Sequence, residues 1–162
     1  MSPIGDRSPV AIDTSVLLGF FDSHDAWHSP AVTLIQALEE ANLTVFYFDC
    51  VLAEMISVLA RRLREKQREA DLSDLLSQVS SRCPIERTTW ILPDVPALYA
   101  EVIEQVRASD GELSFNDALI ALSCRNRGIP RIASFDRDFD SLPWLARVAE
   151  PGDLAFASSP RR

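Results

Sequence analysis

The sequence predicts an α/β fold with a mainly parallel sheet and helices on both faces. Short apolar or β-branched runs alternate with longer segments of helical periodicity from residue 9 to residue 150. Strands that alternate with helices form parallel sheets, because each crossover returns the chain to the same edge. A chain of 162 residues, 47% of them hydrophobic, fits one domain over 9–154, with loose ends at 1–8 and 155–162.

Each predicted element has a local reason in the sequence. Apolar or β-branched runs between polar residues indicate strands, and apolar residues three and four positions apart indicate helices. Gly128, with Pro130 just beyond, marks the end of a helix. In chain order the sequence predicts a strand at 9–13, helices at 15–21 and 28–42, a strand at 44–48, a long helix capped by Asp49, a helix at 71–81, an extended segment at 88–92, helices at 95–108 and 114–128, and strands at 131–134 and 147–150.

Four carboxylates stand where this fold brings distant segments together. Asp13 closes the first strand, Glu54 follows the second strand, Asp117 lies in the first turn of a helix, and Asp136 follows the strand RIAS. In a parallel sheet, ligands bind at the carboxyl ends of the strands. We therefore expect the four side chains to share one edge of the sheet.

The surroundings of these acids predict a divalent cation. The acids are embedded in or flanked by VAIDTSVLLGF, DCVLAEMISVL, SFNDALIAL and RIASFDRDF, and a desolvated carboxylate must be paired, protonated or bound to a cation. Oxygen ligands alone favour Mg²⁺ or Mn²⁺ over zinc. Structural roles compete with this interpretation, since Ser114 and Asp117 match a capping box and Asp13 and Asp136 are suited to capping turns. Those roles leave Glu54 unexplained.

Residue types that the chain lacks narrow the chemistry. Only five glycines are present, and none forms a GxGxxG or Walker-type phosphate loop. Ser15 stands where an aspartyl-phosphate hydrolase needs its second acid, and the sole lysine, Lys66, lies in a basic helix. His24 and His28 flank a turn, and no Ser-His or Cys-His pair is apparent. What remains is metal-assisted hydrolysis of a phosphodiester bond.

The net charge of −8 opposes binding of a polyanion, but the positive charges are concentrated. Five of the 16 basic residues fall in ARRLREKQRE, at 60–69. A solvated helix face is the simpler interpretation of this segment. A contact with RNA or a partner through Arg61, Arg62 and Arg64 is the alternative, because guanidinium groups suit phosphate oxygens.

The cysteines and the apolar runs indicate in which cellular compartment the chain is expected. Cys50, Cys83 and Cys124 lack CxxC spacing and fit a reducing cytoplasm. No apolar run approaches the ~20 residues that span a bilayer. Three tryptophans, Trp27, Trp90 and Trp144, are expected to pack in the core or an interface rather than to stack on nucleic-acid bases.

The motifs AIDTSVLL, LAEMISVL, FNDALIAL and IASFDRDFD, in this order over residues 10–139, resemble those of the PIN domain, specifically of VapC-type ribonuclease toxins. The resemblance implies a three-layer α/β/α sandwich and an endoribonuclease that depends on Mg²⁺ or Mn²⁺. It also implies homodimerisation and inhibition by a small antitoxin protein. A PIN nuclease of RNA processing, or a binding module without catalysis, is the alternative.

The resemblance assigns roles to individual positions. The catalytic acids that it implies are Asp13, Glu54, Asp117 and Asp136. Asp13, Asp117 and Asp136 are the implied metal ligands, whereas Glu54 binds through water or positions it. The small polar residues that support such acids match Ser15, Asn116 and Ser134. Asp138 and Asp140 lie in the loop of Asp136 and compete for its role.

Overall fold

The computed structural model describes residues 7–156, so most of the two predicted loose ends lies outside the described residues. Five strands form one sheet in the order β3-β2-β1-β4-β5. Every pairing is parallel, as predicted. The strands are β1 (Val10–Ile12), β2 (Val45–Phe48), β3 (Thr88–Thr89), β4 (Arg131–Ala133) and β5 (Ala146–Val148).

Helices cover both faces of the sheet, which confirms the predicted α/β/α sandwich. Within residues 7–156 they are α1 (Thr14–Phe21), α2 (His28–Glu40), α3 (Asp49–Glu65), α4 (Leu72–Arg82), α5 (Val95–Ala108), α6 (Phe115–Asn126) and α7 (Asp153–Phe156). The helices pack in two groups, since α1 packs on α2, α3 and α4 whereas α5 packs on α6. Right-handed crossovers, the rule for parallel strands, would place these groups on opposite faces of the sheet. None of the helices in this part of the chain is both long enough and apolar enough to cross a membrane.

Three local features differ from the predictions. The segment predicted as extended at 88–92 is a strand only at Thr88–Thr89 and then turns through a short 3-10 helix at Leu92–Asp94. Asp49 begins α3 rather than preceding it, and its carboxylate accepts hydrogen bonds from the amides of Ile91 and Leu92. The strand β3 has only two residues, and the hydrogen bonds to Asp49 hold the chain that follows it, at Ile91 and Leu92. The helix α7 overlaps the start of the predicted C-terminal tail.

The order of the strands places a crevice at the centre of the sheet. From β1 the chain moves to β2 on one side, whereas β4 lies on the other side of β1. At the point where the strand order reverses, the loops that follow two neighbouring strands run to opposite sides. Ligands of open α/β sheets bind between these loops. Beyond β1, the amide of Asp13 still donates to the carbonyl of Ala133 at 2.9 Å, so the ends of β1 and β4 are joined at this crevice.

Candidate active site

Asp13 directly follows β1 at the central edge of the sheet and is only 5% exposed. It ends β1 and caps α1, and its Oδ2 accepts hydrogen bonds from the hydroxyls of Ser15 (2.7 Å) and Ser134 (2.8 Å). Burial raises the pKa of Asp13, and the charge of Asp117 adds to the rise, whereas the two serine hydroxyls oppose it. Asp13 is therefore a desolvated carboxylate that a bound cation would stabilise.

Ser15 and Ser134 connect Asp13 to the loop after β4. The hydroxyl of Ser134 accepts a hydrogen bond from the amide of Asp136 at 3.0 Å, and that of Ser15 accepts one from the amide of Phe135 at 3.1 Å. The same two hydroxyls donate to Asp13. The ends of β1 and β4 thus share one hydrogen-bond network, which fixes the start of the loop that carries Asp136.

Glu54 reaches the site from α3, but its environment differs from the prediction. We expected the helix to bury the surroundings of Glu54, whereas Glu54 itself is exposed and the sheet-facing positions are Val51, Met55 and Leu59. These three are spaced by four residues, so the residue before Met55 points away from the core. The Oγ1 of Thr14 donates to Glu54 Oε2 at 3.2 Å. This contact places Glu54 beside the residue that follows Asp13.

Asp117 has both a structural role and a place in the site. It forms the capping box of α6 with Ser114: its Oδ2 accepts from the amide (3.1 Å) and the hydroxyl (2.6 Å) of Ser114. The charge of Asp117 also contributes to the raised pKa values of Asp13 and Asp138. The capping box therefore holds Asp117 where it acts electrostatically on acids from two other segments. Its neighbour Asn116 is half-buried and, within residues 7–156, makes no hydrogen bond to these acids.

The loop after β4 contains three acids with three different environments. Asp136 is half-buried, and its Oδ1 accepts from the amide of Asp138 at 2.9 Å. Burial raises the pKa of Asp138, and the neighbouring charges of Asp136, Glu112 and Asp117 raise it further. Asp140 instead forms a two-pronged ion pair with Arg147, at 2.8 and 3.0 Å. Asp136 and Asp138 thus face the other acids, whereas Asp140 is neutralised by an arginine.

The four predicted acids share one bonding pattern. In each acid, only one of the two carboxylate oxygens accepts hydrogen bonds from residues 7–156. None of the four forms an ion pair with a basic side chain in these residues. Three acids outside the site differ, since Asp22, Asp25 and Asp94 each pair with an arginine. We call Asp13, Glu54, Asp117 and Asp136 the acidic cluster. Each member keeps one oxygen without a hydrogen bond from residues 7–156.

This donor set fits Mg²⁺ or Mn²⁺ better than zinc. All candidate ligands are carboxylate oxygens, which hard cations prefer. In residues 7–156, no three or more Asp, Glu, His or Cys side chains lie close enough to form a ready-made metal cage. A sparse set of protein ligands matches Mg²⁺, which keeps several waters and commonly binds through one or two carboxylates plus substrate phosphates.

Residues outside the acidic cluster are partly committed elsewhere. Arg62 pairs with Asp25 at 2.6 Å, and Arg61 lies 3.9 Å from Glu65, whereas Arg64 makes no ion pair with residues 7–156. His28 Nδ1 lies 2.8 Å from the carbonyl oxygen of Gly19, away from any catalytic pairing. Of the predicted candidates for RNA or partner contact, Arg64 thus has the least committed side chain.

Two of the three tryptophans lie outside the core, so of the two expected placements only an interface is left for them. Trp27 and Trp90 are 53% and 55% exposed, because Trp27 ends the loop before α2 and Trp90 follows the short edge strand β3. Trp144 is half-buried and donates its Nε1 hydrogen to the carbonyl of Ala121 at 3.3 Å.

Sequence reasoning missed the contact that Thr14 makes with the acidic cluster and left the place of Asp138 undecided. Thr14 bonds Glu54, and Asp138 lies in the field of Asp136 and Asp117. A signal for Thr14 was present, since a hydroxyl directly after an acid at a strand end is placed to meet the next helix. Asp138 was recognised only as a competitor of Asp136, because the sequence does not show which side of the loop each acid takes.

Comparisons with known proteins identify the family and the fold. The family model of the PIN domain matches residues 10–145. The solved structure of VapC20 from Mycobacterium tuberculosis, a sarcin-ricin loop cleaving toxin, is similar with a TM-score of 0.62 at 24% identity, over 83% of this chain and 95% of that chain. No curated protein sequence matches the chain. The match covers most of the chain and all four acids, and the chain therefore belongs to the PIN domain family.

Proposed function

We propose that the chain is an endoribonuclease that depends on Mg²⁺ or Mn²⁺ and hydrolyses phosphodiester bonds. The observation that carries this proposal is the acidic cluster: four carboxylates from four segments, one of them buried, with no basic partner in residues 7–156 and one oxygen each without a hydrogen bond from those residues. Membership of the PIN domain family supports the same chemistry.

Each member of the acidic cluster has a role in the proposed reaction. Asp13, Asp117 and Asp136 would hold the cation, which when bound lowers the pKa of water and neutralises charge on the scissile phosphate. The hydroxyls of Ser15 and Ser134 bind Asp13 Oδ2 and leave its other oxygen for the cation. Glu54, held by Thr14, would orient the attacking water through its remaining oxygen.

The proposal extends to a biological role. We assign the chain as the toxin of a toxin–antitoxin pair, acting in the cytoplasm, with RNA as its substrate and a small protein as its inhibitor. The fold shared with VapC20 supports this assignment. Ribosomal RNA that contains the sarcin-ricin loop is therefore a suitable first substrate. We also propose a homodimer, which the exposed side chains of Tyr99 and Phe115, 6.2 Å apart between ring centroids, support as apolar contact surface.

The direct test is cleavage of RNA by the purified chain. We expect cleavage in Mg²⁺ or Mn²⁺, none in EDTA, and none by Asp13→Asn, which keeps the size and hydrogen-bonding shape of the side chain. The matched control is Asp74→Asn, an exposed carboxylate on α4, which should cleave like the parent chain. Undiminished cleavage by Asp13→Asn would contradict the proposed function.

Thermal unfolding separates a nuclease from a binding module without catalysis. Because a ligand that binds only the folded state stabilises it, millimolar Mg²⁺ or Mn²⁺ should raise the Tm of the parent chain and of Asp74→Asn. The Tm of Asp13→Asn should rise much less. An equal rise for all three proteins would place the metal elsewhere, and no rise for the parent chain would favour a binding module.

The toxin role has its own test. Induced expression of the parent chain in a bacterial host should arrest growth, and Asp13→Asn should not. Coexpression of a small adjacent gene should restore growth, and the product of that gene should copurify with the chain. RNA cleavage without growth arrest would favour a nuclease of RNA processing, and light scattering of the purified chain would test the homodimer.

A further inference from the structure

Trp27 and Phe135 form an exposed aromatic stack. Their ring centroids are 4.8 Å apart and their planes are inclined by only 20°. Trp27 is nevertheless 53% exposed, although its large ring is among the most favourable to bury. Phe135 covers one side of the indole, and the other side faces solvent. The protein thus presents a flat apolar surface that it does not use for its own core.

Phe135 ties this stack directly to the acidic cluster. It lies between Ser134 and Asp136 in the loop after β4, and its amide donates to the hydroxyl of Ser15 at 3.1 Å. The same hydroxyl donates to Asp13 Oδ2 at 2.7 Å. A single serine side chain therefore bridges the backbone beneath the stack and the buried acid of the cluster.

Trp27 is also held in place from its own side. Its amide donates to Asp25 Oδ1 at 2.7 Å, and Asp25 is in turn paired with Arg62. A Cβ at Gly19 would lie 3.0 Å from the carbonyl oxygen of Trp27, so a larger residue would push α1 away from the start of α2. These contacts hold the backbone of Trp27 and the stack on Phe135 orients its indole before any ligand arrives, which lowers the entropy cost of binding.

We propose that the solvent-facing side of Trp27 stacks on an RNA base next to the phosphodiester bond at the acidic cluster. This inference rests on the proposed function. A chain of net charge −8 with four carboxylates at its site gains little from electrostatic attraction to RNA. Stacking on an aromatic ring does not depend on charge and tolerates any base. The base extends the parallel arrangement that Trp27 and Phe135 already form.

Fluorescence anisotropy with a labelled single-stranded RNA tests the proposal in the full Asp13→Asn chain with Mg²⁺, where the RNA stays intact. Adding Trp27→Ala or Trp27→Leu should weaken RNA binding about 5- to 150-fold. Trp27→Tyr keeps an aromatic face and should bind within about threefold of its background. Trp90→Ala is the matched control, because Trp90 is 55% exposed but stacks on no ring in residues 7–156.

A second probe separates stacking from contacts with the backbone of the RNA. A ribose-phosphate oligomer of equal length without bases should bind Trp27→Ala and its background equally. Unchanged RNA binding by Trp27→Ala, an equal loss in Trp90→Ala, or an equal loss for the oligomer without bases would each overturn the proposal. Failure of the proposed function looks different, since the parent chain would then not cleave RNA in Mg²⁺. Circular dichroism of each variant checks that it is folded.

Discussion

Thr14 donates a hydrogen bond from its Oγ1 to Glu54 Oε2 across 3.2 Å. Thr14 directly follows Asp13 and is buried, whereas Glu54 lies 40 residues further along the chain and is exposed. An exposed glutamate has many rotamers, and this contact selects the one that turns towards the end of β1. Thr14 is therefore a positioning residue for the second acid of the cluster.

Thr14→Val removes this hydroxyl but keeps the shape of the side chain. We expect kcat for RNA cleavage to fall about tenfold, since a hydrogen bond to a charged group contributes about 1.5 kcal/mol at the lower end of its range. KM should change little, because Asp13, Asp117 and Asp136, which are proposed to hold the cation, are unchanged. Thr14→Ser keeps the donor and should restore most of kcat in steady-state assays. Equal activity of the Val and Ser variants would show that the hydroxyl does not position Glu54.

The contact between Thr14 and Glu54 shows where prediction from sequence ends. Signals that act within a few residues were readable: Ser114 and Asp117 form the predicted capping box, and Gly128 beyond α6 has a φ of +65° that favours glycine. Parallel pairing followed from alternation of strands and helices. Which rotamer Glu54 adopts depends on how α1 packs on α3, and no local pattern encodes that packing.

The burial of the acids differs from the expectation at three of the four positions. Only Asp13 is buried, while Asp117 and Asp136 are half-buried and Glu54 is exposed. An acid with apolar neighbours in the sequence is buried when it stands at the end of a central strand, because helices cover both faces of the sheet there. On a helix the same neighbours point to one side, so an acid one position from a core residue can face solvent.

Asp136→Asn and Asp140→Asn distinguish two acids of one loop. Asn is as good a helix cap as Asp, so Asp136→Asn removes the charge while it keeps the turn. We expect a loss of cleavage on the order of 100-fold or more, since a metal's charge stabilisation amounts to several kcal/mol. Asp140 is paired with Arg147, and Asp140→Asn should cleave within about threefold of the parent chain.

Single-turnover cleavage rates at saturating Mg²⁺ measure both variants. The reverse ranking, with Asp140→Asn the more impaired, would mean that Asp140 leaves Arg147 to join the site. Mn²⁺ titration adds a second readout, because loss of a ligand should shift the metal concentration needed for half-maximal rate. Only Asp136→Asn should show that shift.

The ion pair between Asp22 and Arg68 should make stability depend on pH. Asp22 is 1% exposed, and Arg68 Nη1 lies 3.0 Å from its Oδ1. Burial alone would raise the pKa of Asp22, but the hydrogen bond and charge of Arg68 and the amide of His24 together lower it. A lowered folded-state pKa contributes stability above the unfolded value, near 4, which is lost as the pH falls through the folded value.

Urea denaturation at several pH values measures this contribution. At pH 7, Asp22→Asn should unfold at a lower urea concentration than the parent chain, because it leaves Arg68 without its buried partner. The difference should shrink as the pH is lowered below about 4. Asp74→Asn, an exposed acid on α4, should parallel the parent chain throughout. A gap between Asp22→Asn and the parent chain that stays constant down to pH 2 would show that the ion pair does not cause it.

The three cysteines should be unreactive in the folded protein. Burial raises the pKa of Cys50 and Cys124 to about 12 and that of Cys83 to about 11, and the charge of Asp49 adds to the rise at Cys50. The thiolate is the reactive form, and at pH 8 only about one Cys83 thiol in a thousand is ionised. Ellman's reagent should therefore label none of them rapidly without denaturant and all three in guanidinium.

An introduced cysteine provides the positive control for this labelling. Ile85 is 66% exposed at the start of the short segment before β3, so Ile85→Cys should react rapidly and once per chain at pH 8. The native cysteines need no removal, because their raised pKa values make them react much more slowly than an exposed thiol. Rapid labelling of the parent chain would instead mean that α3, α6 or the end of α4 opens on the timescale of the reaction. Added Mg²⁺ should then slow that labelling if the opening involves the site, since a cation held by Asp13 and Asp117 as proposed would join the end of β1 to α6.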